Sequence, residues 1–263
     1  MILCDFYISF IIKKMKKIAI IPSRYGSTRF PGKPLALIKG KPMIQWVVEN
    51  VKKSNKVDDV FVATDDKRIF DAVEGFGGKA LMTSDKHTCG TDRLAECAQI
   101  LNLNDEDIIL NIQGDEPTFR KQMVEDLVSI FDDEDVYFGT LKVEISSENE
   151  LNNPNVVKVI NDIKGDAIYF SRYTIPYVRD EKNVNFVKHY KHIGAYGYKK
   201  WFLMKYSAME KSNLEISESL EQLRAIENGY KIRVKETKYQ TVGVDTPEQI
   251  AEVERFMEEN DYE

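Results

Sequence analysis

Ile18 Ala19 Ile20 Ile21 Pro22 Ser23 Arg24 Tyr25 Gly26 Ser27 Thr28 Arg29 Phe30 Pro31 Gly32 Lys33 Pro34 Leu35 is the stretch that decides the fold. Its first four residues are apolar and read as a short buried strand. The loop that follows carries three cations, two glycines and three small hydroxyls. Glycines let the backbone approach a ligand, hydroxyls and amides donate hydrogen bonds, and cations offset negative charge, so the loop has the composition of a polyphosphate cradle. Its spacing is neither that of the Walker loop nor GxGxxG. A solvated basic surface loop is the other reading of the same residues.

Downstream, Pro42 stands at a first helical position, and Ile44, Val47, Val48 and Val51 recur at helical spacing. This predicts an amphipathic helix over 42–53, and a strand over 59–64 then closes a βαβ unit. A helix over 66–75 stopped by Gly77 and Gly78, a strand over 79–82 and a helix over 92–101 follow. Ile108 Ile109 Leu110 Asn111 Ile112 is an apolar run broken only by Asn111, as expected at the buried centre of a parallel sheet. The alternation predicts an α/β fold: a doubly wound, mostly parallel sheet flanked by helices, with ligands outside the carboxyl ends of its strands. From Val136 the texture changes to strands over 137–144, 155–161, 167–170 and 193–198, read as a smaller mixed or antiparallel extension at about 140–198. Helices over 199–207 and 219–228 and a strand from Ile232 come next. The C-terminal helix opens with Thr246 Pro247 Glu248 Gln249, a capping box with proline at N1, and has Ile250, Val253 and Met257 as its apolar stripe.

With 263 residues and 43% hydrophobic content, the chain fits one large α/β domain or two small ones. A net charge of -6 argues against a nucleic-acid or anionic-membrane surface, and leaves the cations at 24–33 as a local device for a small anion. Cys4, Cys89 and Cys97 lack the number and spacing of a disulfide framework or a zinc site, so a cytoplasmic location is expected. Near the N-terminus a mostly apolar run over 6–12 precedes Lys13, Lys14, Lys16 and Lys17, the reverse of a signal peptide, and is too short to span a bilayer. Met15 reads as the start, with residues 1–14 an upstream extension and 15–263 a single domain.

Two carboxylates stand where strands deliver their loops. Asp115, in Gln113 Gly114 Asp115 Glu116 Pro117, faces the cationic loop as a magnesium ligand or caps a following helix. Asp245, in Gly243 Val244 Asp245 Thr246 Pro247, is a second candidate, with a helix-start aspartate as the plainer reading.

Together with Cys89 Gly90 Thr91 Asp92 Arg93, Ser171 Arg172, His192 Ile193 Gly194 Ala195 Tyr196 Gly197 Tyr198 and Leu220 Glu221 Gln222 Leu223 Arg224, these blocks run in order from Lys17 to about Phe256. They resemble the signature blocks of 3-deoxy-manno-octulosonate (Kdo) cytidylyltransferases, the CMP-Kdo synthetases of lipopolysaccharide assembly. The resemblance implies a GT-A-like nucleotidyltransferase fold, CTP and Kdo as substrates, Mg²⁺ as cofactor, and a homodimer built partly on the extension. It places Arg24, Arg29 and Lys33 on the CTP triphosphate, Ser23 in the nucleotide pocket and Arg93 on the nucleoside. Asp115 and Asp245 become the metal carboxylates and, with Arg24 and Lys33, the catalytic set. Gln113, Arg172, His192, Glu221 and Gln222 would surround the sugar acid, Arg172 because its fork suits a carboxylate. His192 is read as a hydrogen-bonding group and not a general base, with a structural role as the alternative. Cys89 departs from the serine expected before the glycine, and a thiol is the weaker donor.

An enzyme loading neuraminic acid is ranked below Kdo because its first loop should differ, whereas an amino-Kdo analogue would leave the blocks intact. A glycosyltransferase with an Asp-x-Asp site is disfavoured by Glu116 and Pro117 after the central strand. A catalytically dead nucleotide-binding protein would be expected to have lost the metal carboxylates, and both candidates are present.

Overall fold

The computed structural model describes residues 14–26, 29–87, 89–180, 182 and 187–262. The reading of residues 1–13 as part of an extension, and the hydroxyls of Ser27 and Thr28, lie outside the described residues.

Strand β1, Lys17–Ser23, sets the architecture. Alternate residues of a strand face opposite sides, and here both sides are aliphatic: Ile18, Ala19, Ile20 and Ile21 are all 5% exposed or less. A strand buried on both faces needs a helical layer on each. After β1 come a 3-10 turn at Lys33–Leu35, β2 (Leu37–Ile38), β3 (Lys41–Pro42), α1 (Met43–Lys52), β4 (Asp59–Thr64), α2 (Lys67–Gly75), β5 (Ala80–Met82), α3 (Gly90–Ile100), β6 (Ile108–Asn111) and α4 (Lys121–Ser129). The second half adds β7 (Phe138–Glu144), α5 (Glu148–Asn152), β8 (Lys158–Asn161), β9 (Ala167–Ser171), β10 (Tyr190–Lys199), α6 (Lys200–Ser207), α7 (Asn213–Glu218), α8 (Leu223–Glu227), β11 (Arg233–Glu236) and α9 (Gln249–Glu259). Side chains of α1, α2 and α4 cluster with Ala19 and Ile21, and those of α3, α6 and α8 with Ile18 and Ile20. Among the described residues no helix is long and apolar enough to cross a membrane.

The main sheet runs β11-β7-β10-β6-β1-β4-β5 among the described residues. β6, β1, β4 and β5 are parallel, as the alternating sequence pattern predicts. β10 is antiparallel to both β6 and β7, which makes the sheet mixed. The strands expected as an extension therefore divide. β7 and β10 complete the main sheet, whereas β8 and β9 form an antiparallel hairpin off its path. A break in the β10 register between Ile193 and Tyr196 falls beside the central strand end, the kind of irregularity that re-aims backbone at a site.

Three local expectations change. Pro42 is one residue outside α1, because it closes a hairpin with Leu37 whose turn, Lys39 and Gly40, has φ of 47° and 79°. The helix expected over 219–228 is two short helices, since Ser219 ends α7 in the left-handed region at φ 51°. α9 starts at Gln249, and only one half of the expected capping box forms: the Gln249 carboxamide accepts from the backbone N–H of Thr246 (3.1 Å) and of Asp245 (2.6 Å). Its apolar stripe is as expected: Val253 and Met257 are buried with Ile38, Met43 and Trp46, which seats α9 and the Asp245 segment beside the first loop.

Candidate active site

β1 and β6 are parallel neighbours and end at the same sheet edge. Their loops nearly touch: a Cβ on Gly114 would lie 2.5 Å from Ser23 Oγ and 3.1 Å from the Pro22 carbonyl, so only glycine permits the approach. The first loop is closed on itself by Gly32, at φ 71°, whose N–H donates to the Tyr25 carbonyl at 2.8 Å. The Arg68 guanidinium covers the Tyr25 ring at 3.3 Å. The result is a cleft of about 390 Å³ lined by Ser23, Arg24, Arg29, Lys33, Arg93, Gln113 and Asp115. The structure thus brings together the residues expected on the triphosphate, the nucleoside and one metal position.

Charge is concentrated at its mouth. Lys33 Nζ lies 2.6 Å from Asp115 Oδ2 and 3.7 Å from Asp245 Oδ1, and donates to the Val244 carbonyl at 2.8 Å. Arg29 binds Asp245 through both terminal nitrogens, at 3.2 and 3.0 Å. The Asp245 segment is held there by the Val244 N–H on the Asp115 carbonyl (2.9 Å) and by Gln249. Among the described residues no group of three His, Cys, Asp or Glu side chains forms a ready metal site. The two aspartates nevertheless offer hard oxygen donors converging on one point beside the cleft, and magnesium is held by one or two carboxylates with phosphate oxygens and water completing its shell, so the residues fit that ion.

Two features here go beyond the sequence-based expectations: the state of Glu116 and the pairing of Arg93. Glu116 Oε2 has no hydrogen-bond partner among the described residues, and burial, with the charge of Asp115, pushes this carboxyl up to about 7. Arg93, on the first turn of α3, is only 1% exposed and is held by Asp65 at 2.8 Å and by the Thr83 hydroxyl. Glu116 follows Asp115 in the loop after β6; Asp65 and Thr83 follow the ends of β4 and β5, and although Asp65 is expected at the ligand edge, the pairing of both with Arg93 is a tertiary contact that sequence spacing does not show. Ser23 Oγ is also buried without a partner among the described residues, a polar atom left for a ligand.

The residues expected around the sugar acid are more dispersed. Gln113 lines the first cleft and donates to the Gly194 carbonyl at 3.1 Å. Glu221 lines a second cleft of about 530 Å³ with Cys89, Asp92 and Arg224, and burial raises its carboxyl above the usual range. His192 lines a third cleft of about 750 Å³ that also reaches Asp115 and Asp245. Its ring meets the Thr140 hydroxyl at 3.0 Å, packs against Phe170 and Tyr196, and is pushed down to about 3 by burial, so it is neutral at pH 7. Gln222 is buried at the start of α8. Arg172 lines none of these clefts; its guanidinium donates to the carbonyls of Glu218 (2.7 Å), Pro154 (3.1 Å) and Ser219 (3.4 Å).

A family model described as cytidylyltransferase matches residues 18–232. A protein of Thermodesulfovibrio yellowstonii named 3-deoxy-manno-octulosonate cytidylyltransferase is 50% identical over 92% of this chain and 98% of its own. One of the same name from Fusobacterium nucleatum is 49% identical over 94% of this chain and 98% of its own. Among solved structures, a CMP:2-keto-3-deoxy-manno-octonic acid synthetase complexed with CTP superposes with a TM-score of 0.87 at 44% identity, over 93% of this chain and 99% of that one. A 4-diphosphocytidyl-2C-methyl-D-erythritol synthase from Anaerococcus prevotii, at TM-score 0.62 and 15% identity over 93% and 99%, shares the fold alone.

Proposed function

The chain belongs to the 3-deoxy-manno-octulosonate cytidylyltransferase family, and we propose that it activates Kdo with CTP, giving CMP-Kdo and pyrophosphate, with Mg²⁺ as cofactor. The observation that carries the reading is the meeting of Arg29 and Lys33 with Asp115 and Asp245 at the mouth of the cleft that Arg24 also lines.

The anomeric hydroxyl of the sugar attacks the α-phosphorus of CTP, so two anions must be brought together. Arg24, Arg29 and Lys33 bind the triphosphate and offset its charge; Lys33, 13% exposed, acts where water screens it little. Ser23 supplies its unpartnered hydroxyl to the nucleotide, and Arg93 meets the base. Asp115 and Asp245 would hold the magnesium, which when bound supplies a Lewis acid for the phosphoryl oxygens and lowers the pKa of the attacking hydroxyl. Gln113, His192, Glu221 and Gln222 orient the sugar acid, His192 as a neutral hydrogen-bonding ring. Arg172 serves this side by anchoring the segment at 218–219 that leads into Glu221 and Gln222.

Residues 15–263 form one catalytic domain in this proposal, and the region at about 140–198 contributes to sugar binding and to a homodimer. Exposed Ile163, Ile168, Tyr173 and Tyr177, on or beside β8 and β9, support the dimer surface, and sedimentation as a monomer at micromolar concentration would remove it. A cytoplasmic enzyme serving lipopolysaccharide assembly completes the reading, since CTP is a cytoplasmic metabolite. Pyrophosphate release measured across four nucleotides and a panel of sugar acids, with and without Mg²⁺, tests it. Release is expected only with CTP, Kdo and Mg²⁺ together, and turnover with neuraminic acid but not Kdo overturns the substrate.

A further inference from the structure

We propose that Asp65 and Thr83 are positioning residues that lock the Arg93 guanidinium in the nucleotide cleft and thereby set the preference for cytosine over uracil. The inference rests on the reading above that CTP fills this cleft with its base against Arg93.

Arg93 lines the cleft, yet its side chain is 1% exposed. A guanidinium that far from water must be paired, because an isolated buried charge is strongly unfavourable. Two strand ends supply the pairing. Asp65, directly after β4, accepts from Nη2 at 2.8 Å, and Thr83, directly after β5, accepts from Nη1 through its hydroxyl. The Thr83 hydroxyl in turn donates to the Thr64 carbonyl at 3.1 Å, and the Thr83 N–H donates to the same carbonyl at 2.9 Å. With its hydrogen placed on Thr64, the hydroxyl turns a lone pair to Arg93. β4 and β5 are paired in parallel through Thr64 and Met82, so both anchors stand on one rigid sheet edge.

An arginine side chain only donates hydrogen bonds. Cytosine offers two adjacent acceptors, O2 and N3, on its pairing edge, whereas uracil carries an N–H at position 3. A guanidinium free to swing would retreat from that N–H and bind either base. One fixed at two nitrogens cannot retreat, so uracil is left with donor facing donor. Discrimination by an unpaired or opposed polar group is larger than discrimination by shape, and rigidity is what enforces it here.

The test uses the full chain, with steady-state kinetics for CTP, UTP and Kdo and calorimetric titration of both nucleotides. For Asp65→Asn the expected result is a KM for CTP raised about tenfold, a CTP/UTP ratio of kcat/KM lowered about tenfold, and KM for Kdo and kcat unchanged within about twofold. Arg93→Lys should lose the same discrimination, and the double variant Asp65→Asn/Arg93→Lys should be no worse than Arg93→Lys, because both act through one group. Thr83→Val, similar in shape but without the acceptor, gives a second arm with a smaller effect of about threefold if Asp65→Asn fails to fold. An unchanged CTP/UTP ratio in a folded variant, or losses that multiply in the double variant, overturns the proposal. A wild-type chain that binds no CTP overturns the functional reading and this inference with it, whereas an unchanged ratio in an active variant overturns this inference alone.

Discussion

The nucleotide side and the sugar side of the cleft are built in different ways. Ser23, Arg24, Arg29 and Lys33 come from one loop, and two of its cations already grip the carboxylates of the β6 loop and of the segment before α9. The sugar-side residues arrive from the loops after β6 and β9, from β10 and from the α7–α8 junction, line three different clefts or none, and several have donors or acceptors occupied by the fold itself. A triphosphate is a dense charge that one short segment can meet, whereas a sugar acid has to be surrounded. Substitutions on the nucleotide side should therefore cost chemistry first, and those on the sugar side should cost folding or placement first.

The largest expected effect lies on the nucleotide side. Asp115→Asn keeps the shape but removes the charge facing Lys33, and kcat/KM for pyrophosphate release should fall roughly 1,000-fold, on the order of 4 kcal/mol. The urea midpoint should move little, because Asp115 is partly exposed and its pair with Lys33 contributes modestly to stability. A large loss of stability with the rate preserved would dissolve the contrast.

The mirror case is Arg224, in the same block as Glu221 and Gln222. Its guanidinium meets Glu215 at 2.7 Å twice, with both side chains under 10% exposed, and so ties α8 to α7. Arg224→Met leaves the Glu215 carboxylate buried and unpaired, which should lower the unfolding free energy by about 3 kcal/mol in urea titration. The KM for CTP in the remaining folded enzyme should stay within about twofold of wild type. Loss of CTP binding at full stability would instead place Arg224 in the nucleotide site.

This contrast also governs what could be read from the chain alone. The parallel half of the sheet was legible because buried strands and amphipathic helices leave periodic patterns, as at Ile108 to Leu110 and at Val47, Val48 and Val51. The cationic loop was legible because its chemistry is contiguous. The break at Ser219 was not, since a left-handed residue inside a helix-like block carries no periodic mark. Helix α4 went unnamed although Met123, Val124, Leu127 and Val128 repeat at helical spacing. That β7 and β10 join the main sheet was hidden because strand pairing is a tertiary choice. The same holds for Asp65 and Thr83 on Arg93, and for the three carbonyls around Arg172.

His192 sharpens the comparison through pH. Burial holds its ring neutral, with a folded pKa of about 3 against an ordinary value of 6.5. The folded state therefore binds fewer protons than the unfolded state below pH 6.5, and stability falls as pH drops toward 3. Between pH 7 and pH 5 this one group should cost about 2 kcal/mol in denaturant titration, and His192→Asn should remove that component of the slope. An identical slope in the variant would mean that the ring is hydrated and open to the third cleft, with the sugar side less tightly built than argued.

The smallest effect probes the boundary between the two regions. Arg172 donates to the carbonyls of Glu218, Pro154 and Ser219, two of which precede Glu221 by only a few residues. Lysine keeps the charge but cannot reproduce a planar fork that spans three carbonyls, so Arg172→Lys should lose one or two hydrogen bonds of about 1 kcal/mol each. The segment then sits less firmly, and the KM for Kdo should rise about fivefold while the KM for CTP is unchanged. A loss beyond roughly 100-fold for Kdo would mean that the guanidinium meets the sugar carboxylate directly, by a rotation away from the carbonyls, because one truncated backbone anchor does not account for that much. The sugar side would then be chemically poised like the nucleotide side, and the difference between the two would be one of loop motion alone.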